Sequence, residues 1–76
     1  MEVTIDEDSP VYPYVQVADQ LRAGIASGQI GPSVPSIMEL TEQTGLAAGT
    51  IRRSFQILKA EGLIVTRPGR GTFVAS

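Results

Sequence analysis

The stretch SIMELTEQTGLAAGTIRRSFQILKAEG, residues 36–62, carries two helix signals separated by a glycine. Ser36 and Glu39 form an S-x-x-E capping box: the serine oxygen accepts from an early helical N–H, and the glutamate reaches back to the Ser36 N–H. The helix that starts here runs through Leu40 to about Thr44. Gly45 then supplies the residue type that tolerates the left-handed conformation closing a helix. Leu46 follows as an apolar plug. Beyond it, Ile51, Phe55 and Leu58 recur at three- and four-residue spacing, which predicts a helix over about 48–61 with Gly62 as its stop. Arg52, Arg53, Gln56 and Lys59 fall largely on the other faces of that helix.

On the C-terminal side, Leu63 to Arg67 is apolar and β-branched, Pro68 to Gly71 is a turn signal, and Thr72 to Val74 is β-prone again, which together read as a hairpin. On the N-terminal side, two glycines and two prolines make Gly28 to Pro35 a connector with at most a short extended piece. Before the connector, Tyr14, Ala18, Leu21 and Ile25 share one face of a helix that opens at Pro13 and ends near Ser27 and Gly28. Residues 1–11 carry four acids and no periodicity, and are expected to form a flexible acidic arm. The predicted fold is therefore mostly α with a small C-terminal β-hairpin. Its order is helix, helix, turn, helix, hairpin, the winged helix-turn-helix arrangement of three helices plus a wing over residues 12–76.

The composition narrows the chemistry. A chain of 76 residues has room for one domain, so neither a separate effector module nor a small-molecule effector site is expected. Cysteine and histidine are both absent, which removes disulfides, Cys/His zinc sites, histidine bases and thiol nucleophiles. No acid, base or nucleophile set suggests an enzyme, and no cofactor is implied. No apolar run approaches a membrane span, and the acidic N-terminus is unlike a signal peptide, so a cytoplasmic location is expected.

The formal charge of −2 hides a division along the chain. Residues 1–45 hold seven acids against Arg22 alone, a net −6, whereas residues 46–76 hold Arg52, Arg53, Lys59, Arg67 and Arg70 against Glu61 alone, a net +4. Affinity for phosphate backbones comes from lysine and arginine displacing condensed counterions, so any contact with nucleic acid belongs to the C-terminal half.

Five strings in order then acquire a common meaning: Tyr14 to Ile25, PS-x-x-EL at Pro35 to Leu40, GL-x-x-GTIR at Gly45 to Arg52, L-x-AEGLI at Leu58 to Ile64, and GRGTFV at Gly69 to Val74. Together they resemble the GntR-type winged helix-turn-helix domain over roughly residues 12–75. The resemblance implies a bacterial or phage transcriptional regulator that binds double-stranded DNA, with the third helix in the major groove and wing 68–71 at the adjacent minor groove. It implies DNA contacts at Thr50 and Arg52 near the start of the third helix and at Gly69 and Arg70 on the wing. Arg53 and Lys59 are candidates for flanking phosphates, and Arg67 supports the wing. Several positions depart from the family pattern. Ile37 and Met38 stand where the family carries Glu and Arg, Ala47 and Ala48 stand where it carries a hydroxyl residue and Arg, and the connector is about two residues short.

Each candidate also has a plainer reading. Arg52 and Arg53 would serve as a solvated helix face, Thr50 as a helix-start cap, and Gly69 to Gly71 as hairpin turn chemistry. Ser36 is a cap whose exposed helix end also suits a phosphate. Tyr12 and Tyr14 suit helix-start packing better than base stacking. The alternative function is a protein-interaction winged helix that binds another regulator through Ile37, Met38 and the acidic half. For a DNA-binding role the resemblance leaves open a monomer or a weak homodimer, and a two-fold operator would require the dimer.

Overall fold

Helix α1 spans Pro13–Ser27, α2 Ile37–Thr44 and α3 Ala48–Ala60, and they are followed by strands β1, Ile64–Arg67, and β2, Gly71–Val74. This computed structural model describes residues 1–75. The expected domain end at Ser76 lies outside the described residues. Three helices and a hairpin in this order make the winged helix predicted from the sequence, with each helix boundary within one residue of its signal.

Local chemistry accounts for those boundaries. Pro13 opens α1, where its missing N–H is one of the donors a helix start leaves unpaired in any case. Gly28 and Gly45 end α1 and α2 with φ of 83° and 75°, a left-handed conformation that costs glycine little. Ser36 caps α2, its Oγ accepting from the Glu39 N–H at 3.0 Å. Of the expected capping box only this half forms. Among the hydrogen bonds of the described residues the Glu39 carboxylate makes none back to the Ser36 N–H, and its side chain stays exposed.

The core is the meeting of α1 and α3, closed below by α2 and the base of the wing. Val17, Ala18 and Leu21 from α1 pack with Leu40, Ile51, Phe55, Leu58 and Ile64 in one apolar cluster. The buried face of α1 is turned slightly from the expected stripe: Val17 and Gly24 are buried, while Tyr14 and Ile25 are only half-buried. Gly24 explains the rotation, because a Cβ there would come within 2.6 Å of Ile30 Cδ1 and of Met1 Sδ. The bare backbone thus receives the connector and the chain start. Ser54 lies in the same interface, and its hydroxyl donates to the Tyr14 carbonyl at 2.7 Å, so no buried polar side-chain atom of the described residues goes unpaired.

The two strands pair antiparallel, from Ile64 opposite Val74 to Arg67 opposite Gly71. The expected short extended piece of the connector adds to this hairpin: Ser33 bridges Phe73, the Val34 N–H donates to the Thr72 carbonyl at 2.9 Å, and the Val74 N–H donates to the Pro32 carbonyl at 2.8 Å. The wing is thereby tied to the start of α2 as well as to the end of α3.

Residues 1–11 lie along the helical body, unlike the free arm expected from their composition. Val3 is in the core, and its N–H donates to Gln43 Oε1 at 2.9 Å. The Thr4 N–H donates to Gln20 Oε1 at 3.1 Å while Gln20 Nε2 donates to the Thr4 carbonyl at 2.6 Å. The same two-way pairing joins Asp6 and Gln16, at 2.9 and 3.0 Å. The periods explain the fit: four residues of helix rise about 6.0 Å and two residues of extended chain about 6.6 Å, so glutamines at i and i+4 meet alternate peptide groups.

The ion pairs of the described residues all belong to Arg22. Its Nε and Nη2 reach both oxygens of Glu61 at 2.8 and 2.7 Å, and its Nη1 reaches Asp19 at 2.7 Å, fastening α1 to the end of α3. The hydrogen bonds from Arg22 hold the Glu61 carboxyl below its ordinary value of 4.5, and those same bonds, Glu61's before Asp19's, raise the Arg22 pKa. A carboxyl whose pKa is lowered on folding stabilises the native state in full above the unfolded value and loses that contribution as pH falls through the folded one. Glu61→Gln is therefore expected to lower the melting temperature at neutral pH and to flatten its decline below 4.5. Thermal unfolding followed by circular dichroism on both sides of that pH measures the difference. Because the pair is solvent-exposed, the effect will be small and will shrink in salt.

Candidate nucleic-acid interface

Helix α3 divides its residues by face. Ile51, Ser54, Phe55 and Leu58 are buried, and Arg52, Arg53, Gln56 and Lys59 are exposed. Arg52, Gln56 and Lys59 follow one another at four and three residues, so they form a single stripe. The stripe faces the wing across a shallow cleft whose other wall is Thr66 and Thr72 and whose floor is Phe55 and Ile37. The two threonines are direct partners in the hairpin register, which puts their side chains on one face. From the sequence, no contact is assigned to Gln56, Thr66 or Thr72. The spacing of Gln56 with Arg52 and Lys59, and the alternation of the two strands about their turn, are the signals that locate them.

At the hairpin tip, Pro68 and Gly69 occupy the central positions of a four-residue turn closed by the Arg70 N–H donating to the Arg67 carbonyl at 3.0 Å. Gly69 has a φ of 74°, the geometry that a Pro-Gly turn of type II requires at its third residue. The turn leaves Arg70 exposed at the tip and Arg67 exposed on the strand behind it. Arg70 also lines a groove of about 440 Å³ that runs past Thr72 and Phe55 to Ser36, Ile37 and Met38 at the start of α2. Wing, third helix and second-helix start thus border one continuous surface.

Arg53 sits apart from that stripe. Its guanidinium lies 4.3 Å from the centre of the Tyr14 ring, and Tyr12 stacks with Tyr14 at 5.9 Å. The aromatic pair at the start of α1 therefore packs together as expected, and in addition its Tyr14 ring receives the Arg53 guanidinium. Thr50 is half-buried in the first turn of α3; the cap position belongs to Ala47 and carries no side-chain cap bond, so Thr50 does not serve as the cap. Ile37 is half-buried against the core, whereas Met38 is exposed.

The electrostatics of this surface are simple. Among the described residues no carboxylate lies within salt-bridge distance of Arg52, Arg53, Lys59, Arg67 or Arg70. The positive half of the sequence is consequently available to an external anion, while Glu61, the acid within that half, is taken up by Arg22. No cluster able to hold a metal ion occurs among the described residues.

Comparison with known proteins agrees with this geometry. The family described as bacterial regulatory proteins, gntR family, matches residues 13–74. The HTH-type transcriptional repressor NagR of Bacillus subtilis (strain 168) is 37% identical over 75 residues, 96% of this chain and 31% of NagR. The HTH-type transcriptional regulator YhcF of the same organism is 31% identical, with 99% of this chain and 62% of YhcF covered. The chain thus spans less than two thirds of these relatives. Among solved structures, YtrA from Sulfolobus acidocaldarius, a GntR-family transcription factor, superimposes with a TM-score of 0.88 at 35% identity, covering 100% of this chain and 82% of YtrA. The DNA-binding domain of AraR in complex with operator ORX1 superimposes with a TM-score of 0.83 at 31% identity, covering 97% of this chain and 96% of that one. With its fold, its order of motifs and 62 matched residues in agreement, the chain belongs to the GntR family of regulatory proteins.

Proposed function

We propose that this winged helix binds double-stranded DNA as the recognition domain of a transcriptional regulator. The observation that carries the reading is that Arg52 and Lys59 on α3 and Arg70 on the wing, exposed and free of carboxylates, border adjoining grooves of a domain whose net charge is negative. In this reading α3 enters the major groove with Thr50 and Arg52 at base edges, and Gly69 with Arg70 reaches the adjacent minor groove, whose negative potential attracts arginine. Lys59, Arg53 and the Ser36 end of α2 meet phosphates beside the groove, with Gln56, Thr66 and Thr72 lining the strand that passes between them. The likeness to a domain solved on its operator supports this placement.

The role needs no cofactor and no catalytic step, and it is the role of a cytoplasmic protein. No described helix is long and apolar enough to cross a membrane. The protein-interaction alternative finds less support, because Ile37, half of its proposed docking patch, already packs against the core.

Titrating isotope-labelled protein with duplex DNA at low and at physiological salt tests the reading. Amide shifts should cluster in α3 and at residues 67–72 and should fade with salt, since each phosphate neutralised contributes about −0.9 to the slope of log K against log salt. Absence of shifts at low salt would overturn it.

A further inference from the structure

Met38 is 71% exposed, the highest value among the large apolar side chains of the described residues. The fold makes no use of it: α2 buries Leu40, and Ile37 fills the gap beneath. Its location is what matters. Met38 borders the groove that Arg70 closes at the wing tip, and that groove shares Ile37, Phe55 and Thr72 with the cleft beneath Arg52, Gln56 and Lys59. An apolar side chain therefore stands inside the basic surface and is covered whenever a duplex lies across it. A phosphate calls for a hydrogen-bond donor or a positive charge, and the Met38 thioether offers neither, so a base edge is the better neighbour for this side chain. Along the major-groove edges of the four base pairs, the apolar group on offer is the C5-methyl of thymine.

We infer that Met38 reads a thymine methyl in the major groove, making it a specificity-determining residue and placing a thymine opposite the first turn of α2 in the bound DNA. The inference rests on the DNA-binding reading above. It fits the rest of the surface: Ala47 and Ala48 present no polar side-chain atom at the start of α3, and Arg70 suits the narrow minor groove of A·T-rich sequence.

Sequences retained from a random duplex pool supply the probe, and the best of them is then made with each thymine in turn replaced by deoxyuridine, which removes the methyl and leaves sugar, phosphate and pairing intact. One replacement should weaken the unmodified protein by roughly three- to fourfold, the worth of a buried group of that size. Met38→Gln, of similar length but polar, should bind the thymine and uracil duplexes alike, and Met38→Leu should keep the difference. Because Met38 is exposed, all three proteins should melt together. Retention of no sequence at low salt overturns the DNA-binding reading and this inference with it. A retained sequence that tolerates every uracil, or a Met38→Gln protein that still discriminates, overturns the inference alone.

Discussion

Arg52→Ala should weaken binding to a selected duplex by about 1 to 3 kcal/mol, about fivefold at the low end and above a hundredfold at the high end, while leaving the melting temperature unchanged. The direction follows from position: Arg52 is exposed, begins the stripe that faces the wing, and has no internal partner whose loss would register as instability. Arg52→Lys separates charge from shape. Lysine keeps the positive charge but not the planar fork that pairs twice with a guanine edge, so it should recover the salt dependence and little of the sequence preference. Fluorescence anisotropy with the selected duplex and with an unrelated one, at two salt concentrations, measures both quantities. Equal affinity of Arg52→Ala and the parent protein for the selected duplex would remove Arg52 from the interface.

Leu40→Ala should act on the fold instead, costing about 2 to 5 kcal/mol in urea unfolding. Leu40 is the buried residue of an eight-residue helix, and α2 meets α3 through it. A helix of two turns is unstable by itself, so its position depends on this anchor and on the Ser36 cap. A domain of this size has roughly 4 to 11 kcal/mol of total stability, and at the lower end one truncation consumes most of it. DNA binding should fall in proportion to the unfolded fraction and recover on cooling to the temperature of greatest stability. A fully folded Leu40→Ala protein with unchanged urea midpoint would mean that α2 is held by contacts other than its core leucine.

The elements that could be read from sequence are those whose signals are local. Pro13, Ser36, Gly28 and Gly45 mark helix ends by backbone geometry that few other residues supply, and Ile51, Phe55 and Leu58 mark a buried face by spacing. The basic surface was legible through charge, with Arg52, Lys59 and Arg70 bordering its adjoining grooves. Features created by pairing across the fold were not. The sequence places Arg53 beside Arg52 as a candidate for a flanking phosphate, but its contact with the Tyr14 ring, about 100° of helix away from Arg52, depends on how α1 packs on α3. Ser33 joins the wing by its main chain, which leaves no side-chain pattern to find. Residues 1–11 suggested a free arm because four acids dominate their composition, whereas their attachment depends on Gln16, Gln20 and Gln43, residues that resemble ordinary solvent-facing polar groups.

Those three glutamines take hold of peptide groups and ignore side chains, which sets unusual terms for change in the leading segment. Thr4 can be exchanged for nearly any residue with an N–H, since what Gln20 recognises is common to all of them, whereas Asp6 also accepts from the Asp8 N–H at 3.0 Å through its own carboxylate. Proline at either place would break a two-way amide pair by removing its donor. Parity is equally strict: sliding the segment by one residue would turn Val3 out of its pocket and offer the neighbouring side chain instead. Thr4 is therefore free to drift in identity, but the length and phase of the segment are not, because Val3 and Ile5 must keep to the core side.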